Sequence, residues 1–211
     1  MASILKVDTI QGATSATAVD ISSVTSLKMP AGTPIQMVNA ENNTGVVLQG
    51  NATVKLLDCA ITTKVTNSTF IVQSFCAIGT LTSMTSNNDT DVALALGYKS
   101  GSVSSNSTDY TGIGNYQPNR QNVSFSNGNY AFYAIDALAG SASYNYVYHA
   151  FGEPSTCQKF SPSVAAGTTL QVALFGTSDV NQISITFGTR RNDSGADSGT
   201  VTYVCVTEIA P

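Results

Sequence analysis

The chain has 211 residues, a formal net charge of −4, and only 10% charged residues. A surface that binds nucleic-acid phosphates needs clustered Lys and Arg, so this composition argues against nucleic acid as a partner. Hydrophobic residues make up 42% of the chain. That content predicts a folded body, because a disordered polar chain is poor in apolar residues.

The first 34 residues carry short apolar patches separated by Gly, Ser and Thr, with too little apolar surface to fold alone. A disordered leader and an attachment strand both fit this pattern. We favour an extended arm over residues 1–34 that attaches the chain to an assembly by strand pairing. The apolar residues expected to make the attachment are Ile4, Leu5, Val7, Ile10, Val19 and Ile21.

Residues 35–211 are predicted to form an all-β domain, an antiparallel β-sandwich of jelly-roll type. Runs rich in β-branched and aromatic residues alternate with Gly, Asn, Asp, Ser and Pro clusters, which is the pattern of short strands and turns. The predicted strands are 54–65, 68–84, 91–98, 129–138, 143–151, 168–176, 181–189 and 200–209. Residues 91–98 and 130–139 contain helix-forming Ala and Leu but lack helix caps, so we interpret both as strands.

The last strand alternates in a way that leaves both of its faces partly apolar. Val201, Tyr203 and Cys205 are expected on one face, and Val204 and Val206 on the other. Such a strand suits the middle of a sheet, or a sheet whose outer face meets another subunit. We therefore expect the domain to form a homo-oligomer.

No metal or cofactor is expected. Cys59, Cys76, Cys157 and Cys205 are widely spaced and the single histidine supplies no paired ligands for zinc, so buried free thiols are predicted, with a disulfide as the open alternative. Asp193 and Asp197 lie in a Gly-containing run that favours an exposed hairpin turn, with a weak calcium site as the alternative.

The sequence does not predict an enzyme. A catalytic triad would have to use His149, the only histidine, which lies in an aromatic strand pattern without a nucleophile motif. Glutamates are scarce and most aspartates occur among turn-forming residues. Cleavage of polysaccharide by a carboxylate pair is therefore kept only as a lesser alternative.

The long loop at residues 100–124 contains the best candidates for ligand binding. Tyr110, Tyr116, Asn119 and Arg120 combine flat aromatic surface with amide and guanidinium donors, which is the chemistry that binds sugar hydroxyls or acidic glycans. An ordinary solvated loop is the alternative interpretation. Loops of this length in compact domains are usually functional or mobile.

Neither a signal peptide nor a membrane-spanning helix is predicted, because no basic leader precedes an apolar core and Gln, Ser, Gly and Thr interrupt the most apolar stretch. We therefore expect assembly in a cytoplasm and no membrane insertion. A cellular carbohydrate-binding module would share these features, but it would not depend on the N-terminal arm.

The leader also resembles a known group of proteins. SILKVDTIQ (residues 3–11), the Val-Asp-Ile-Ser step at 19–22, and LKMPAGTPIQ (27–36) are similar to the leader of tail-fibre-like virion proteins of marine bacteriophages, and the closing strand at 199–211 continues the likeness. The resemblance implies a non-enzymatic virion appendage. It would be trimeric, assembled in the host cytoplasm, and attached to other virion proteins through residues 1–34.

Within that resemblance, a tail fibre or spike that binds host-surface glycans is the leading interpretation. A capsid decoration or cement protein that stabilises the shell is the alternative.

Overall fold

The computed structural model describes residues 30–49, 51–80, 90–114, 122–137, 150–152, 154–178, 184–188 and 201–211. Contacts divide the chain after Pro30, and the unit Ala31–Pro211 contains all of the described strands. The predicted attachment residues between Ile4 and Ile21 lie outside the described residues, so their role stays a prediction.

Almost all regular structure in the described residues is β, and its helical element is a 3₁₀ turn at Ser107–Asp109. No described helix is long and apolar enough to cross a membrane. In chain order the strands are β1 (Pro34–Asn42), β2 (Val46–Gln49), β3 (Ala52–Thr62), β4 (Thr69–Phe75), β5 (Ile78–Thr80), β6 (Thr90–Ser100), β7 (Thr111–Ile113), β8 (Val123–Phe125), β9 (Gly128–Tyr130), β10 (Tyr133–Ala137), β11 (Ala150–Gly152), β12 (Ser155–Phe160), β13 (Thr169–Ser178), β14 (Ser184–Phe187) and β15 (Thr202–Ile209).

The strands pair antiparallel in two principal layers. One layer contains the sheet β1-β15-β4-β12 and a second sheet, β11-β5-β14-β2. The second sheet is built from strands that are neighbours in chain order of the strands of the first, because β2 follows β1, β5 follows β4, β11 precedes β12 and β14 precedes β15. The other layer is the sheet β10-β6-β13-β3, with β7 paired to β6.

This order is that of a jelly roll. Counting β1–β2, β4–β5, β11–β12 and β14–β15 as one segment each and setting aside the short strands β7, β8 and β9, the described residues supply eight segments. The first, eighth, third and sixth form one layer, and the second, seventh, fourth and fifth form the other. Two interlocked Greek keys produce this arrangement, so the predicted jelly-roll-like β-sandwich is confirmed.

The main core lies between the layers and follows the period-two alternation of the strands. In β15, Val204 and Val206 point inward and are fully buried, while Tyr203 points outward. They contact a continuous set of buried side chains from both layers, which includes Ile61, Phe70, Val72, Leu94, Leu96, Leu170, Val172 and Leu174.

A second core covers the outer face of β6 and β13. Ala95 of β6 and Phe175 of β13 point away from the main core and pack against Tyr110, Val123 and Phe125. These three residues belong to the segment at 101–132, whose described parts, 101–114 and 122–132, follow β6 and lie over the sheet. Both faces of β6 and β13 are therefore buried, and residues 91–98 form a strand as predicted.

The cysteines of the structure are all free thiols, as predicted, but they are not all buried. Cys59 and Cys76 are buried, Cys205 is half-buried, and Cys157 is exposed. The expectation of buried thiols is wrong for Cys157 because β12 is the edge strand of its sheet and Cys157 points outward from it.

Candidate interaction surface

Tyr110 does not lie on the surface of a glycan site, and that part of the prediction is corrected. Its side chain is fully buried, and its ring meets that of Phe175 edge to face at 5.1 Å. The hydroxyl donates to the carbonyl oxygen of Ser104 at 3.0 Å and accepts from the amide of Ser104 at 3.1 Å. Tyr110 is a core residue because its loop folds onto the outer face of β13.

The other predicted site residues lie outside the described residues. These are Tyr116, Asn119 and Arg120 of the glycan candidate, Asp193 and Asp197 of the calcium alternative, and His149. Their roles stay predictions. Within the described residues, no group of three or more His, Cys, Asp or Glu side chains is placed to hold a metal ion.

The surface most suited to a partner is the outer face of the sheet β1-β15-β4-β12, which we call the bare face. Met37 on β1 is 68% exposed and Tyr203 on β15 is 36% exposed, the former a high value for an apolar side chain on a sheet. The strand alternation places two charged residues, Glu41 and Lys159, on the bare face together with apolar, cysteine and uncharged polar residues: Met37, Asn39, Thr69, Ile71, Gln73, Phe75, Ser155, Cys157, Tyr203, Cys205, Thr207 and Ile209.

Pairing registers show how the bare face is organised. Phe75 and Tyr203 are direct neighbours on β4 and β15, and their rings stack at 6.0 Å between centroids with planes 11° apart. At the opposite end, Ile71 and Ile209 line a groove of about 350 Å³ together with Lys159 and the chain end at Pro211. Apolar side chains thus lie at both ends of the two central strands, with Gln73 and Thr207 between them.

Glu208 is a buried carboxylate that sequence reasoning did not single out for a structural role. Its oxygens accept hydrogen bonds from the amides of Lys64 and Val65 at 2.9–3.0 Å and from the hydroxyl of Ser68 at 2.7 Å. The side-chain amide of Gln36 also donates to the Glu208 carboxylate. The chain itself occupies both oxygens, so Glu208 holds the loop between β3 and β4 in place.

The Cys76 thiol is fully buried between β4 and β5. Burial raises its pKa to about 11, although hydrogen bonds from Thr202 and the backbone of Gly188 act in the opposite direction. Burial, with the nearby Cys205 and Asp58, also raises the pKa of Cys59 to about 11. Both thiols are therefore protonated and weakly nucleophilic at neutral pH.

Protein stability is expected to fall above pH 9, partly because of Cys76. The unfolded chain ionises this thiol near its ordinary pKa of 9.0, whereas the folded chain ionises it near 11. The contribution of the protonated thiol to the free energy of unfolding is complete below pH 9 and is lost as pH rises toward 11. The free energy of unfolding should therefore fall by roughly 2 kcal/mol between pH 8 and pH 11 through this group. Urea unfolding across this range should show a shallower decline for Cys76→Ala, whereas Cys157→Ala should match the wild type. Equal declines in all three proteins would contradict this assignment.

No family model matches the sequence, and no curated protein matches it. Comparison with solved structures does return matches, one of them titled "Structure of infectious bursal disease virus Gx strain". That alignment has 9% identity and a TM-score of 0.26, and covers 92% of this chain and 44% of the viral chain. The chain thus spans less than half the length of that protein, and a TM-score this low supports no functional argument.

Proposed function

We propose that this chain is a non-enzymatic structural protein of a bacteriophage particle, and specifically a component of a tail fibre or spike. The observation that carries the proposal is the resemblance of residues 3–36 to the leaders of tail-fibre-like virion proteins. The jelly-roll order of the body is compatible with it, because viral capsid and lectin domains use this architecture. The fold alone does not determine the function.

In this proposal, residues 1–34 attach the chain to other virion proteins, and a homo-oligomer, a trimer by the resemblance, presents the loops of the sandwich to host-surface glycans. Tyr116, Asn119 and Arg120 remain the proposed glycan contacts. They lie in a connection between β7 and β8, on the segment that Tyr110 and Phe125 anchor to the sheet. A fixed base of this kind suits a recognition loop, because binding residues work best on a rigid scaffold.

Removal of the arm tests the proposal. Residues 32 and 33 should be kept, because Gly32 donates its amide to the carbonyl of Ala210, and Ala210 donates back to Thr33. Deletion of residues 1–29 from the phage-encoded protein is therefore expected to leave the sandwich folded and to abolish its incorporation into particles. Immunoblots of purified particles, with circular dichroism of the isolated protein, measure the two properties.

A full-length variant carrying Val7→Asp and Ile10→Asp is the control for chain length, and it should also fail to incorporate. Wild-type incorporation of the deleted chain would refute attachment by the arm.

A capsid decoration protein is the second candidate, and the exposed apolar residues of the bare face favour it because cement proteins bind across neighbouring subunits. The two candidates differ in copy number and position. Quantitative mass spectrometry and imaging of the labelled particle should find few copies, at the tail. A copy number comparable to that of the major capsid protein would refute the tail fibre and support the decoration protein.

A further inference from the structure

The outer faces of the two layers differ in what covers them. On β6 and β13, the outer face is covered by the chain's own segment at 101–132, whose Tyr110 and Phe125 are buried there. On the bare face, Met37 and Tyr203 are exposed and the groove beside Ile209 is open. Within the part of the chain that the structure describes, no segment covers the apolar side chains of the bare face as one covers the other sheet.

The charges on the bare face indicate which partner fits it. Among the outward side chains of its four strands, the charged ones are Glu41 on β1 and Lys159 on β12. The pairing registers place Lys159 level with Met37 across the sheet. Met37 lies four residues before Glu41 on β1. Strand spacing and rise then separate the two charges by about 14 Å across the sheet and about 13 Å along it.

This separation is too large for Glu41 and Lys159 to pair within one copy, since an ion pair needs contact within about 4 Å. Among the outward side chains of these four strands, each copy therefore presents one anionic and one cationic position, at opposite corners of the face. Such a surface is complementary to itself. When two copies meet face to face, each charge can find its opposite on the other copy.

We propose that the bare face binds a second copy of this chain across a two-fold axis. An axis that lies in the contact plane and is the perpendicular bisector of the line between the two charges brings Glu41 of each copy onto Lys159 of the other. Met37 of the two copies then lies near this axis at one corner of the contact, the paired Cys205 and Gln73 lie at its centre, and Phe75 and Tyr203 are covered toward one edge. The strands of the two copies then cross at about 90°, one of the two standard arrangements of packed sheets.

This contact goes beyond the proposed function and does not rest on it. It also differs from the three-fold assembly that the resemblance implies. A two-fold contact uses the same surface on both copies, whereas a ring of three joins different surfaces. Charge-reversal variants can tell these arrangements apart.

The test is sedimentation equilibrium of the full-length wild-type chain and of Glu41→Lys, Lys159→Glu and the double variant. Each single variant places like charges together at both contacts and should weaken self-association by about tenfold or more. The double variant exchanges the two charges and should associate like the wild type. An equimolar mixture of the two single variants should also recover association, because a mixed pair has opposite charges at both contacts.

Lys64→Glu is the control for net charge, because Lys64 is exposed in the loop between β3 and β4. It should self-associate like the wild type, and circular dichroism melts should show that every variant is folded. If a reversal variant unfolds, the milder Glu41→Gln and Lys159→Gln replace it and should still weaken association.

Three results would overturn the proposal: a wild type that stays monomeric at all concentrations, an equal loss in Lys64→Glu, or a double variant that fails to recover. Incomplete recovery in the mixture would refute the two-fold axis, since a ring of three always keeps one like-charge contact.

Discussion

Replacing Glu208 with alanine is expected to lower the free energy of unfolding by about 3–5 kcal/mol, the range for removing one partner of a buried charged network. The carboxylate is fully buried and accepts from two backbone amides, a hydroxyl and the Gln36 side chain. Alanine supplies no acceptor, so these donors lose their partner and the loop between β3 and β4 is no longer held. Urea unfolding at neutral pH measures the loss.

Two further variants show whether hydrogen bonding causes the effect. Glu208→Gln keeps one acceptor oxygen, so it should destabilise the fold less than alanine does. It should still destabilise the fold, because its side-chain NH2 group points two N–H donors at groups that are themselves donors. Glu41→Ala removes an exposed glutamate from neighbouring β1 and should change the free energy by less than about 0.5 kcal/mol in dilute protein. If Glu208→Ala lowered the free energy of unfolding by less than about 1 kcal/mol, the prediction would be wrong, and water would be replacing the carboxylate as the partner of these donors.

The layers of the fold could be predicted from local patterns, because strand alternation is a property of a few neighbouring residues. In β15, alternation alone separates Val204 and Val206 from Tyr203, and the structure buries the first two and exposes the third. The strand β12 could not be predicted in the same way. Its sequence, Ser155–Phe160, is mostly polar because it is an edge strand with an exposed outer face.

The roles of single residues were harder to predict because they depend on contacts between distant parts of the chain. Alternation places Glu208 on the inner face, but its partners Lys64 and Val65 lie more than 140 residues away. Tyr110 lies among Ser, Asn and Gly, which is the composition of a solvated loop. Its burial depends on Phe175 and on the small residues of β6, and no local pattern reports them.

Gly97 is expected to be the least replaceable residue of β6, and Gly97→Ala should cost about 3 kcal/mol, the upper part of the usual range for overpacking. A Cβ at this position would lie 2.4 Å from Cε1 of Phe125 and 3.0 Å from Cβ of Tyr110. The ring of Phe125 must move away, which opens the second core. Urea unfolding should report the loss, and hydrogen exchange should be faster in the segment at 101–132.

A double-mutant cycle separates the steric clash from backbone effects. In a Phe125→Ala background the ring contact is gone and the 3.0 Å contact with Cβ of Tyr110 remains, so adding Gly97→Ala should cost clearly less than in the wild type. Gly101→Ala is the matched control, since Gly101 has a φ of 85° and an added Cβ would have no neighbour within 4 Å. It should cost about 1 kcal/mol in either background, because left-handed backbone strain is independent of Phe125. If Gly97→Ala costs the same with and without the Phe125 ring, steric contact is not the cause, and Phe125 does not hold the segment against the sheet through Gly97.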